Sequence, residues 1–250
     1  MTTRFRLLLA STLCAAGLGL GVFSFAQQAA AEDFSREEIE QIVRDYLMEN
    51  PQVILDAVQA MQARQAAEEA ALQAENLVRL REHVVGGPAT MIVGNPDGDV
   101  TLVEFFDYRC SYCRRVAPAV MSLIESDPGI RIAMKEFPIL GAESVYASRA
   151  ALAAANQDMY WEMHVALMDF GGTYDETSIR EIAADLDMDE DQLIADMTSP
   201  EVDAAINQNY ELAQTLGING TPAFIVGDTV VPGAVSLETL QDLIDEARQG

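Results

Sequence analysis

Hydrophobic and polar positions fall into three regimes along the chain. Residues 7–31 carry no charge and are mostly apolar. Residues 35–82 are rich in Ala, Gln and Glu and lack glycine, and Pro51 follows Asn50 as if opening the second of two helices. Leu47, Ile54 and Met61 recur every seven residues with Val58 offset by four, an apolar stripe that so thin a segment cannot bury by itself. Past Gly86, Gly87 and Pro88 the pattern becomes that of a mixed domain. Leu102, Val103, Phe105 and Phe106 read as a strand, and Val116, Val120, Leu123 and Ile124 follow at helical spacing, with Pro118 expected to kink that helix rather than end it. Residues 130–135 alternate as a strand does, and Phe137-Pro138 closes them. Helical spacing then marks 147–155, 160–168, 179–186, 192–197 and 202–216. Strands return at 223–226 and 229–231 around a Gly227-Asp228 turn, and Ser236 can cap a last helix through Leu240, Leu243 and Ile244.

The heptad spacing fails at Gln65 and Glu68, so a short bundle with a more polar helical spacer over 63–82 is expected, not a long coiled coil. Either the following domain or the same helices of other copies must cover the stripe. The second reading makes the protein a homo-oligomer through residues 32–82. Three segments follow: 1–31 as a leader, 32–85 as an N-terminal helical segment, and 86–250 as the main domain, with a helical insertion at about 139–216.

Arg4 and Arg6 ahead of the uncharged run, and Ala29, Ala30 and Ala31 closing it, are the marks of an export signal; an uncleaved membrane anchor is the alternative for so long an apolar stretch. Both put the rest of the chain outside the cytoplasm, which reads as periplasmic. Cys14 falls within the leader behind Leu13, where lipoprotein processing would need a small residue, so it leaves with the signal. Two cysteines stay in an oxidising compartment, as one structural disulfide or one working redox pair.

Composition narrows the partners. Forty acidic residues face 15 basic ones, for a formal net charge of −25, which argues against nucleic acid and anionic lipid surfaces. Acids gather over 169–203, where Arg180 is the lone base, and read as a solvated face. Arg109, Arg114 and Arg115 crowd the cysteines instead.

The chemistry centres on Cys110 and Cys113, a C-x-x-C at a strand-to-helix turn, where backbone N–H groups and the helix dipole favour a thiolate. A metal-binding module using both cysteines with His83 or His164 is a rival, as is a non-catalytic holdase whose disulfide is structural. No P-loop, G-x-G-x-x-G or Ser-His-Asp pattern supports a carbon-skeleton enzyme. Met159, Tyr160, Trp161, Met163 and Met168 fall at helical spacing and are assigned to packing. Phe106 and Tyr108 are expected to line the active-site surface, with burial beneath it the alternative for Phe106.

Three motifs at matching intervals, VEFFDYRCSYC, KEFPILG (135–141) and NGTPAFIVG (219–227), together resemble the DsbA-like branch of the thioredoxin fold over about 89–248. The run YLMENPQVI resembles the N-terminal helices of ScsC-type members, some of which oligomerise through them. The resemblance implies an α/β thioredoxin fold with an inserted helical subdomain, preceded by an α-helical segment. It implies no cofactor beyond the Cys110–Cys113 disulfide and no metal. Cys110 becomes an exposed nucleophile that forms mixed disulfides, and Cys113 the buried resolving sulfur. Pro222 becomes a cis proline against the cysteines, with the backbone of Thr221 exposed as an edge for an extended substrate. Ser111 and Tyr112 set the redox poise and contact substrate; histidine, common at the second middle position, is absent here. Glu104, six residues before Cys110, matches the buried acid under the disulfide. Its alternative is the water-facing half of an alternating strand.

The expected function is therefore exchange with cysteine-containing exported proteins, recharged by a membrane redox partner. The helical segment tips this toward isomerase or reductase, with a monomeric DsbA-like oxidase as the alternative. Copper- or zinc-binding is the alternative from another class, and ScsC-type relatives connect it to copper tolerance.

Overall fold

The computed structural model describes residues 34–249. The expected leader, with Cys14, lies outside the described residues. The chain divides into two compact units at Val58. In the first, helix α1 (Arg36–Glu49) opens on a capping box in which Ser35 and Glu38 satisfy each other's backbone N–H groups. Helix α2 (Gln52–Arg79) begins just after Pro51, as the sequence predicts. Ile39, Ile42, Val43, Tyr46, Ile54 and Val58 are all about half exposed, and Leu47 is half-buried.

The second unit is built on a five-stranded sheet of order β1-β3-β2-β4-β5. β2 (Val100–Phe106) and β3 (Ile130–Glu136) are parallel, joined by helix α4 (Ser111–Ser126). β1 (Met91–Gly94), β4 (Ala223–Val226) and β5 (Thr229–Pro232) pair antiparallel. A short helix α3 (Arg81–Val85) precedes the sheet, and α10 (Leu237–Gln249) follows it with the expected Ser236 hydroxyl accepting from Thr239 N–H (3.1 Å). Between β3 and β4 run five helices: α5 (Ala142–Ala154), α6 (Tyr160–Asp169), α7 (Glu176–Asp185), α8 (Glu190–Asp196) and α9 (Pro200–Thr215). Helix α4 runs through Pro118 without ending.

Strands β2 and β3 are buried on both faces, so their side chains divide by parity between two cores. Leu102, Phe106, Ile132 and Met134 pack with Cys113, Val116, Val120 and Leu123 of α4 and with Leu240 and Ile244 of α10. Val103, Phe105, Ala133, Ala223 and Ile225 pack with Leu77, Leu212, Leu216 and Ile218. Parity therefore puts Glu104 on the α4 face, between Leu102 and Phe106, and Lys135 on the other. Buried Lys135 donates to the carbonyls of His83 (2.7 Å) and Gly86 (3.3 Å) and to Thr90 Oγ1, tying the chain between α3 and β1 to β3. Burial, with Arg131 nearby, lowers its pKa to about 7.

The structure corrects the expected spacer. The last turns of α2 dock on the second core: Leu77 is buried, and the Gln73 and Asn76 amides donate to the Leu216 (2.7 Å) and Thr215 (2.9 Å) carbonyls. Those carbonyls belong to the end of α9, where no intrahelical donor remains. Gly217 takes the left-handed conformation (φ 67) there, and Ile218 N–H returns to the Ala213 carbonyl (2.8 Å). Polar amides at 73 and 76 look like solvated spacer in sequence because their partners lie about 140 residues away.

Candidate active site

Cys110 occupies the N-cap of α4 in extended conformation, its N–H donated to the Asp107 carbonyl (3.0 Å). Cys113 lies one turn on, inside the core that parity assigns to Leu102 and Phe106. Both are free thiols. The Cys110 Sγ–H donates to the Thr221 carbonyl (3.2 Å), and the Thr221–Pro222 bond is cis. The structure thus brings together three of the predicted residues, although 111 positions separate the sulfur from its acceptor. Cys110 is less open than expected, at 6% exposure against 0% for Cys113, because the Thr221 carbonyl covers its sulfur. Ser111 and Tyr112 are exposed on the first turn of α4, and the Arg115 guanidinium lies 4.9 Å from the Tyr112 ring centroid.

Beneath the dithiol the polar residues are buried. Glu104 is 2% exposed, which selects the core-facing alternative. Burial first, and the neighbouring Glu136 second, push its pKa up to about 8. The Cys113 thiol is pushed up as well, by burial and then by Glu104. Glu136, diagonal to Glu104 across the β2–β3 pair, accepts from three hydroxyls: Tyr108 (2.9 Å) and Tyr160 (3.1 Å) at Oε1, and Ser148 (2.7 Å) at Oε2. Burial outweighs these three donors and holds Glu136 at about 8 too.

Sequence reasoning missed Glu136, whose one signal is an acid ending an apolar strand, and it missed Asp107. The buried Asp107 carboxylate accepts from Arg109 N–H (2.7 Å), Leu140 N–H (2.9 Å) and Ser144 Oγ (2.7 Å), locking the loop before Cys110 to the start of α5.

Tyr108 does not line the surface. It is fully buried, because its hydroxyl is needed by Glu136 and approaches His164 Nδ1 (3.1 Å). Phe106 is likewise buried, edge-on to Tyr108 and His164. Tyr160, Met163 and Met168 are core residues; Trp161 stacks on His164 (5.2 Å between centroids). His164 itself is 3% exposed and burial lowers its pKa to about 3, so it is a neutral core residue near pH 7. His83 is exposed in α3. Among the described residues no three His, Cys, Asp or Glu side chains converge as a metal site. Of the three arginines, Arg109 pairs with Glu143, and Arg114 donates to the Met168 carbonyl (3.0 Å) and the Tyr174 hydroxyl (3.4 Å).

The raised Glu104 pKa has a measurable sign. An acid at about 8 in the fold and about 4.5 unfolded binds extra protons in the native state between those values, so its stability contribution falls as pH rises from 4.5 to 8. Glu104→Gln is expected to gain stability relative to wild type across that window in urea titrations. A pH-independent difference would show that Glu104 ionises normally in the fold.

Comparison with known proteins agrees with this geometry. Residues 101–245 match the DSBA-like thioredoxin domain family, and residues 36–68 match the copper resistance protein ScsC N-terminal domain. A thioredoxin-like oxidoreductase from Silicibacter pomeroyi is 48% identical, covering 68% of this chain and 98% of its own, with a TM-score of 0.66. Proteus mirabilis ScsC in a transitional conformation is 30% identical over 85% of this chain and 96% of its own, with a TM-score of 0.64. The Na(+)/H(+) antiporter NhaA 1 of Salinispora arenicola is 28% identical over 159 residues, 63% of this chain. The chain spans about a quarter of the length of such curated relatives, 24% here, and no helix among the described residues is long and apolar enough to cross a membrane. With a C-x-x-C at a helix start, a Thr221 carbonyl at a cis proline that accepts from its first sulfur, and a family match over most of the second unit, the chain belongs to the DsbA-like thioredoxin-domain family of thiol–disulfide oxidoreductases.

Proposed function

We propose that this protein is exported to the periplasm and exchanges disulfides with cysteines of other exported proteins, as an oligomer that favours isomerisation or reduction over net oxidation. The observation that carries the exchange reading is the Cys110 sulfur at the start of α4, 3.2 Å from the Thr221 carbonyl, above a sealed Cys113.

Cys110, as thiolate, attacks a substrate disulfide; a Cys110–substrate disulfide forms and the substrate's other sulfur leaves as thiolate. Two fates follow. A second substrate thiolate attacks the mixed disulfide, giving a rearranged substrate and returning Cys110, which is isomerisation. Alternatively Cys113 passes its proton to Glu104 and attacks Cys110 Sγ, releasing a reduced substrate and leaving the Cys110–Cys113 disulfide for a membrane redox partner to recharge. Burial holds the Cys113 thiol above Glu104, which lies at about 8, so the transfer runs uphill and is completed only as the Cys113 sulfur bonds to Cys110 Sγ. The backbone of Thr221, ahead of the cis bond to Pro222, gives an extended substrate a partner while its sulfur meets Cys110. Ser111 and Tyr112 flank the same point.

Support for oligomerisation comes from the ScsC N-terminal match and from the apolar stripe that α1 and α2 leave exposed in a single chain. Several copies bring more than one dithiol to a bound substrate, which suits reshuffling. Ile54→Asp combined with Val58→Asp tests this, since both side chains are about half exposed and a lone chain should tolerate the change. Light scattering should show the mass of the wild-type oligomer falling to one chain, and reactivation of a disulfide-scrambled protein by the reduced enzyme should fall with it. An unchanged mass would place self-association elsewhere or remove it. Rapid oxidation of reduced substrate without reactivation would make the protein a DsbA-like oxidase.

A further inference from the structure

Beside the dithiol lies a cavity of about 520 Å³ between the first turns of α4 and the loop after β5. Its walls are Tyr112, Val116, Thr221 and the Gly233–Val235 loop, with Arg115 as the one charged side chain among them. Thr221 joins this cavity to the sulfur, since its carbonyl accepts from Cys110. A substrate segment that pairs along Thr221 with its cysteine at Cys110 brings one of its flanks to this cavity.

Arg115 is the arginine of the cluster that the fold leaves uncommitted. Arg109 is held by Glu143 and Arg114 by a carbonyl and a hydroxyl, whereas Arg115 makes no ion pair among the described residues. The guanidinium carbon lies over the Tyr112 ring, 4.9 Å from its centroid, and the Arg115 guanidinium N–H groups meet no acceptor among the described residues. Those groups form a planar fork matched to a carboxylate, and no acidic residue of the cavity wall competes for it.

We infer that Arg115, lying over Tyr112 at the mouth of this cavity, selects substrates carrying an aspartate or glutamate two residues from the reacting cysteine. The offset of two follows from extended backbone, in which side chains i and i±2 point to the same side. The inference rests on the exchange reading above and names the substrate class of that same site. It also predicts a local preference opposite to the long-range one, because the overall negative charge of the chain favours basic substrates.

The test uses the full-length protein and disulfide-linked peptides with acetylated and amidated ends, identical except for Glu, Gln or Lys two residues before or after the cysteine. Blocked ends remove terminal carboxylates as a second source of the same chemistry. The Glu-to-Lys ratio of exchange rate constants should be about fivefold higher in wild type than in Arg115→Gln, in the range for a partly exposed ion pair. Arg115→Glu should invert the preference, Arg115→Lys should keep part of it, and the wild-type ratio should shrink at high salt. Equal ratios in wild type and Arg115→Gln at both positions would overturn the inference while leaving exchange standing. Failure of wild type to exchange with any peptide would overturn the exchange reading, and this inference with it.

Discussion

Cys110→Ser is expected to abolish exchange, leaving only the uncatalysed background, while Cys113→Ser accumulates covalent complexes with substrate. The asymmetry follows from depth. In the proposed exchange Cys110 meets incoming disulfides beside the Thr221 carbonyl, and a hydroxyl there cannot form the mixed disulfide. Cys113 is fully buried, with its thiol pKa raised by its surroundings, so it reaches only the neighbouring sulfur. Without Cys113 the first step proceeds and the second cannot, so mixed disulfides should appear on non-reducing gels and vanish with dithiothreitol. Full activity in Cys110→Ser, or adducts forming through Cys113 when Cys110 is absent, would contradict the assignment of nucleophile and resolving thiol.

The largest expected loss of stability comes from Glu136→Ala. Glu136 is fully buried and accepts from Tyr108, Tyr160 and Ser148, of which Tyr108 also meets His164 Nδ1 (3.1 Å). Truncation strands the buried Tyr160 and Ser148 hydroxyls, leaves Tyr108 only His164, and opens a cavity, at a cost of about 3–5 kcal/mol. For a chain of this size that lowers the melting temperature by roughly 10 °C or more. Glu136→Gln keeps the volume and one acceptor oxygen and should lose much less. Urea titrations of the two variants beside wild type check this, and similar stability of Ala and Gln would mean that water replaces the carboxylate.

The same network carries opposing pH effects. Glu104 and Glu136, raised to about 8, destabilise the fold progressively from pH 4.5 to 8. His164, lowered to about 3, costs stability as pH falls below 6.5, because the unfolded chain takes up a proton that the core refuses. Lys135, lowered to about 7, makes the fold gain stability between about 7 and 10.5.

The difference between what the chain announces and what it conceals is one of range. Periodicity marks β2, β3, β4 and the helices from α4 to α10 because each buries a face, and burial leaves a local imprint on spacing; β5 is marked by the Gly227-Asp228 turn before it. Strand β1 leaves almost none: it is four residues long, at the sheet edge, with only Val93 buried. The C-x-x-C and the Thr-Pro pair are legible as motifs. By contrast, Glu104 reads equally as a water-facing strand residue or a buried one until the sheet acquires helices on both faces. Tyr108, next to the motif, looks like surface because neither Glu136 nor His164 is near it in sequence.

The chain alone therefore sets the order of elements from β2 to α10 and the dithiol at a helix start. These depend on neighbours a few residues apart, for which apolar spacing, turn residues and helix-end electrostatics suffice. Folding chooses which carbonyl accepts from Cys110, which carboxyls lie beneath Cys113, which arginines beside the dithiol find partners, and that the end of α2 is docked on α9. Each of these is a meeting of side chains or backbone groups distant in the chain. Strand register and parity, set by the whole sheet, choose among partners that the local pattern leaves equivalent.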